Sequence, residues 1–201
     1  KPMDLDRLLE ESAQAMAGAG SFHFDISGEI SFTSGAAAAD IPISYAGNVQ
    51  APDRTRGKLS LSVVVFALEI DIVTIGETTY TTNPQSGVWE SSDAGALGVL
   101  NPAAFLAGGA PLVNDAIYVG LEERRGEQVH HLSGVADLGA VTDRTGETTA
   151  GIWIGAEDLL VREVEVEAPV DLDALGLGLG AAGITGSGVA SLSIRLSGYG
   201  D

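Results

Sequence analysis

Cysteine is absent from this chain of 201 residues, so it holds no disulfide, no thiolate nucleophile and no cysteine-bound zinc. Redox chemistry therefore says nothing about its compartment. Basic residues are scarce: 10 Lys+Arg stand against 28 Asp+Glu, a formal charge of -18 at pH 7. A surface of that sign repels phosphate backbones, which argues against nucleic acid as a partner, and it repels anionic membrane surfaces too. Aromatic residues are few, at 5% of the chain, although 45% is hydrophobic. No apolar run reaches the roughly 18 residues that span a bilayer, because Glu69 and Asp71 interrupt the best candidate. No linker or low-complexity tract divides the chain, and its length suits one β-rich domain over residues 1–201. It begins at Lys1 and shows no charged n-region followed by an apolar h-region, so secretion is neither shown nor excluded.

What the chain does have is alternation. Leu59 to Ile75 is rich in β-branched residues, alternates, changes parity near Val64 and alternates again, the pattern of two long strands with one oily face each. The same period recurs in Phe22 to Ile26, Val164 to Glu167 and Leu192 to Leu196. Convincing helix is confined to Met3–Ala17, where Leu5, Leu8, Leu9, Ala13 and Met16 make an amphipathic stripe that Gly18 and Gly20 end. Strands are expected at about Phe22–Thr33, Ile41–Val49, Lys58–Val65 and Phe66–Ile75, with Gly28 and Gly47 as bends, and then a hairpin through Gly76. Asn101-Pro102 is expected to open a short helix through Leu106, and Pro111 a second toward Ala116. Alternation resumes in Leu121–Arg125, Gln128–Ala136, Gly151–Ile154, Leu160–Ala168 and Val189–Leu196. An apolar sheet face with so little helix to cover it leaves room for a cavity that oily ligands can enter.

Local chemistry is thin. His130 and His131 are adjacent, so on a strand they point to opposite faces and cannot chelate one ion together. Glu163, Glu165 and Glu167 share a face and could act as acid and base or as calcium ligands, but a solvated outer face is the expected role. Asp137, Asp143 and Glu147 lack the donor spacing of an EF-hand, and the Gly-Leu repeat after Leu175 lacks the strand, helix and Lys-Ser/Thr pair of a phosphate loop. Ser187 lies in Gly-Ser-Gly, without nucleophile-elbow spacing. Trp89 and Trp153 could line a ligand site, core packing being the more frequent role. No catalytic residue, metal or cofactor is expected.

A distributed set of segments remains. It comprises the leading helix, Ser21-Phe22-His23-Phe24, the turn from Gly47 to Asp53, Val73 to Gly76 before Tyr80, Gly87 and Trp89, the Asn101-Pro102-Ala103 start, Gly126 to Gly134, Ile152-Trp153-Ile154, and Leu192 to Gly200. In this order the chain resembles the LppX/LprAFG group of bacterial envelope lipoproteins, whose fold is related to the carrier LolA and the sensor RseB. The resemblance implies an α+β fold in which a strongly curved antiparallel half-barrel is covered by a few helices, LolA-like. It implies non-enzymatic carriage of an acyl lipid or glycolipid in a hydrophobic cavity, with an envelope transporter as a further partner. It also implies export and anchoring through a lipidated N-terminal cysteine, a residue this chain does not contain. An envelope sensor or lipoprotein chaperone that binds a protein or lipopeptide segment is the alternative. Alternation then nominates Phe24, Ile26, Ile30, Val63, Val65, Leu68, Ile70, Ile72, Trp89, Leu106 and Ile154 as cavity lining, and a slip of one residue would exchange lining for surface.

Overall fold

The computed structural model describes residues 4–34, 37–63, 66–83, 86–93, 102, 113–136, 148–171 and 186–200. The chain opens with helix α1 (Leu5–Ala19) and continues through β1 (Ser21–Ser34), β2 (Ala37–Gln50), β3 (Arg54–Val63), β4 (Phe66–Ile75) and β5 (Thr78–Thr82). Then come β6 (Trp89–Asp93), β7 (Val113–Arg124), β8 (Glu127–Ala136), β9 (Thr149–Gly155), β10 (Val161–Asp171) and β11 (Ser187–Ser197).

The Asp4 side chain accepts a hydrogen bond from the Arg7 amide at 3.3 Å and starts α1, while Gly20, at φ 73°, ends it. Leu8, Ser12 and Met16, four residues apart, form its buried stripe. All eleven strands belong to one antiparallel sheet, ordered β6-β5-β4-β3-β2-β1-β11-β10-β9-β8-β7. The sheet curves into a half-barrel that stays open, with β6 and β7 as its two edges. Residues 94–112 join those edges, and Pro102, the one described residue among them, is buried.

Strict alternation gives the sheet an apolar inner face. Even residues of β1 (Phe22, Phe24, Ile26, Ile30) and odd residues of β2 (Ile41, Ile43, Tyr45, Val49) are buried, as are Leu59 and Leu61 of β3. Across one row, Phe24, Gly47, Gly57 and Ile72 are register partners on β1 to β4. The two glycines let the Phe24 and Tyr45 rings, 4.7 Å apart, lie close to the sheet. A Cβ on Gly57 would stand 2.6 Å from the Tyr45 ring and 3.0 Å from that of Phe24.

Two expectations are corrected. Pro111 does not open a helix toward Ala116, because β7 already runs from Val113 and pairs with Ala136 of β8. Register shifts between Asn114 and Ile117 and between Tyr118 and Gly120 break the period of two, which hid the first half of this strand. A few covering helices were expected; among the described residues there is one, and the stretch expected to be helical through Leu106 lies outside them apart from Pro102.

Candidate functional site

The inner face is a continuous apolar wall. It combines the β1 to β3 residues above with Ile72 on β4, Leu132 on β8, Ile152 and Ile154 on β9, Val164 and Val166 on β10, and Ile194 and Leu196 on β11, with Leu8 and Met16 of α1 facing it. Alanines recess the wall on three neighbouring strands: Ala168 pairs with Ala190, and Ala150 pairs with Val166 beside them. Polar groups on this side are few. The Ser12 hydroxyl is buried without a hydrogen-bond partner, the Thr74 and Thr79 hydroxyls bond each other at 3.2 Å, and burial pushes the Tyr45 phenol well above its ordinary range, which keeps it neutral. At the β7–β8 end Tyr118 Oη and His130 Nδ1 lie 3.1 Å apart, and burial lowers the His130 pKa, favouring a neutral imidazole. Among the described residues no group of three or more His, Asp or Glu could hold a metal ion, and no helix is long and apolar enough to cross a membrane.

The nominated lining residues distribute as follows. Phe24, Ile26, Ile30, Ile72 and Ile154 sit together in the buried inner cluster, and Leu68 and Ile70 pack half-buried against it. Val63 belongs to β3 but its side chain, like Val65 and Leu106 altogether, lies outside the described residues. Trp89 is placed on the opposite face: it pairs with Thr82, two residues from outward-facing Tyr80, and is 50% exposed. A five-residue edge strand carries too little alternation to set its own parity, so the cross-strand partner decides the face.

The outer face holds what sequence reasoning missed. Glu163, expected to be solvated beside Glu165 and Glu167, is 3% exposed, and only the other two are open to solvent. It accepts from Arg124 Nε at 2.8 Å, Arg125 Nη2 at 3.2 Å, Arg195 Nε at 3.3 Å and the Ser193 hydroxyl at 2.9 Å. Burial opposes its ionisation, but the Ser193 hydroxyl and the arginines outweigh burial and hold the carboxyl below the ordinary carboxylate range. Trp153 is also buried here, on the outer side and not in the inner core. Its ring lies under Arg124, 3.7 Å from the guanidinium carbon, and is stacked with His131 at 4.5 Å, while Nε1 donates to Glu122. A groove of about 500 Å³ runs past Trp153, Glu165 and Glu167, yet the Trp153 ring is already covered by these neighbours and offers no stacking platform. His131 therefore faces away from His130, as adjacent strand residues must. The only signal that could have exposed this clasp is the pairing of acids on β10 with arginines about 40 residues earlier, which needs the strand order to be known.

An open antiparallel half-barrel with an apolar inner wall and a helix against it defines the LppX/LprF type of fold. LppX, a lipoprotein of Mycobacterium tuberculosis, superposes with a TM-score of 0.53 at 15% identity, over 99% of this chain and 97% of that one. LprF from Mycobacterium bovis gives 0.51 at 15% identity, over 96% and 91%. A LolA superfamily protein from Nitrosomonas europaea covers 96% of this chain at 12% identity, but its TM-score of 0.33 carries no weight here. No family model and no curated protein matches the sequence. At these identities the likeness establishes a shared fold.

Proposed function

We propose that this chain, as one domain over residues 1–201, binds and carries acyl lipids or glycolipids without catalysing a reaction, and does so at the bacterial cell envelope. The observation that carries this reading is the inner wall: eight strands and a helix contribute apolar side chains to one face of a sheet that does not close on itself. The alanines at positions 150, 168 and 190 set part of that wall back beside Val164, Val166 and Ile152; all six are at most 4% exposed, so an acyl chain would take the place of the protein's own covering atoms there. Burying ten methylenes there is worth about 8 kcal/mol before ordering costs, enough to drive binding without any polar anchor. The fold shared with LppX and LprF and the distributed sequence resemblance lead to the same reading. Export, attachment through a lipidated cysteine outside this sequence, and delivery to or from an envelope transporter belong to the same proposal.

Titration of a fluorescent long-chain acyl probe into delipidated protein tests it. Saturable uptake is expected, with an unlabelled diacyl lipid as competitor. Enlarging the wall with Ala168→Val is expected to weaken uptake about tenfold, roughly 1.4 kcal/mol; Ala168 is fully buried, so far-ultraviolet dichroism and urea unfolding check that the variant folds before its uptake is compared. Protein that ignores the probe but captures a hydrophobic or lipid-modified peptide would instead identify a sensor or chaperone.

A further inference from the structure

Where the inner wall reaches β7 it stops being sealed. Cross-strand pairing runs Tyr118–Leu132–Ile152–Val164–Ile194–Ile26 from that edge to the middle of the sheet, so Tyr118 stands at the rim of the apolar face. In the next row Leu121 pairs with His130, and His130 with the fully buried Ile154, which puts both on the same inner side. Leu121 is nevertheless 54% exposed, and Tyr118 and His130 are half-buried, whereas Ser12, Thr55, Thr74 and Thr79 are closed off from solvent. The 3.1 Å contact between Tyr118 Oη and His130 Nδ1 uses one hydrogen. It leaves the imidazole Nε2 and a lone pair of the phenol oxygen to a further partner. The charge around this pair is negative. Asp115 and Glu123 lie exposed on β7, and Glu123 shares the inner side through its pairing with Gln128, two residues from His130. Arg124 and Arg125, next in the chain, are held on the outer side by Glu163 and Glu165. At the opposite edge the inner rim ends in Glu90, which pairs with Thr81 and accepts from Asn83 Nδ2 at 3.1 Å.

We infer that Tyr118 and His130 hold the uncharged polar group of the bound lipid, an ester carbonyl or a hydroxyl, at the β7 rim, while its acyl chain runs inward along the Leu132 row. The inference rests on the carrier reading and adds the direction in which the lipid lies and the chemistry that reads its head. An amphiphile leaves its polar end where an apolar wall meets water, because an oxygen buried without a hydrogen bond is costly. A phenol and a neutral imidazole each offer a donor or an acceptor, which suits carbonyl and hydroxyl oxygens alike. Burial favours that neutral imidazole. A phosphate or carboxylate head would meet Glu123 and Asp115 here and no unpaired cation on the inner side of β7 or β8.

The test is displacement of a fluorescent long-chain acyl probe from the delipidated full chain by monopalmitoylglycerol or by palmitate, in mildly alkaline buffer where palmitate is ionised. The two competitors share one acyl chain and differ in the head. The glyceride is expected to bind about tenfold tighter or more. Tyr118→Phe and His130→Leu are each expected to weaken it about fivefold, the scale of one neutral hydrogen bond, and to leave palmitate nearly unchanged. His130→Gln keeps a donor and an acceptor and is expected to restore most of the difference. Because the readout is a ratio of two affinities in one protein, general loosening of the β7 edge cancels, and dichroism checks that the variants fold. Equal affinity for the two competitors, or a ratio that neither Tyr118→Phe nor His130→Leu alters, would overturn the inference and leave the carrier reading in place. Protein that takes up no probe at all would overturn both.

Discussion

Substituting valine for Gly47 is expected to abolish the folded state. A Cβ at this position would lie 2.1 Å from the Arg56 carbonyl oxygen and 2.5 Å from the Gly57 Cα. Both obstacles are backbone atoms of β3, so no rotamer change relieves them and the β2–β3 ladder must part. Gly57, moved away with β3, is also the surface on which the Tyr45 and Phe24 rings rest. A loss of more than about 4 kcal/mol is expected, a large fraction of the 5–15 kcal/mol that holds an ordinary domain together. Gly18→Ala is the matched control: it lies within α1, nothing stands within 4 Å of the added methyl, and a gain of about 0.5–1 kcal/mol from helix propensity is expected. Urea unfolding of the two variants beside the parent chain checks both signs. A stable, cooperatively unfolding Gly47→Val protein would show that the close β2–β3 approach is wrong.

Glu163→Gln is expected to cost about 2 kcal/mol, the scale of hydrogen bonds to a charged acceptor. The Glu163 side chain is only 4% exposed, whereas its partners Arg125 and Arg195 are about half exposed, so the loss stays below that of a fully buried pair. The pH dependence has a definite sign. A carboxyl whose pKa is lowered on folding stabilises the folded state above the unfolded carboxylate pKa, and that contribution disappears as pH falls through the folded value. Thermal unfolding of the parent chain is therefore expected to lose a component below about pH 4.3, the unfolded glutamate value. Glu163→Gln removes that component and narrows the gap between variant and parent in acid. A gap that is constant from pH 7 down to pH 3 would place the stabilising charge elsewhere.

Much of the architecture was legible because it rests on local periodicity. The parity change near Val64 becomes the β3–β4 hairpin, and the stripe Leu8, Ser12, Met16 turns the helix toward the sheet as the Leu8 and Met16 pattern implied. The inner positions of β1 and β4 follow directly from alternation, which is why Phe24, Ile26, Ile30 and Ile72 fall in one cluster. Legibility ended where a residue's environment is set by strands distant in sequence. Glu163 reads as one of three equivalent outward acids until β7 and β11 bring Arg124, Arg125 and Arg195 over it. Trp89 reads as lining until Thr82 fixes its face. The start of β7 was masked by two bulges, which cancel the alternation that a linear scan depends on.

Intact-mass measurement under native conditions, on protein purified from its native source without detergent, bears most directly on the acyl-chain reading. A reproducible mass excess in the range of one lipid or glycolipid is expected, removed by organic solvent and restored on adding the extract back. A bare polypeptide mass that added acyl lipids leave unchanged would contradict it.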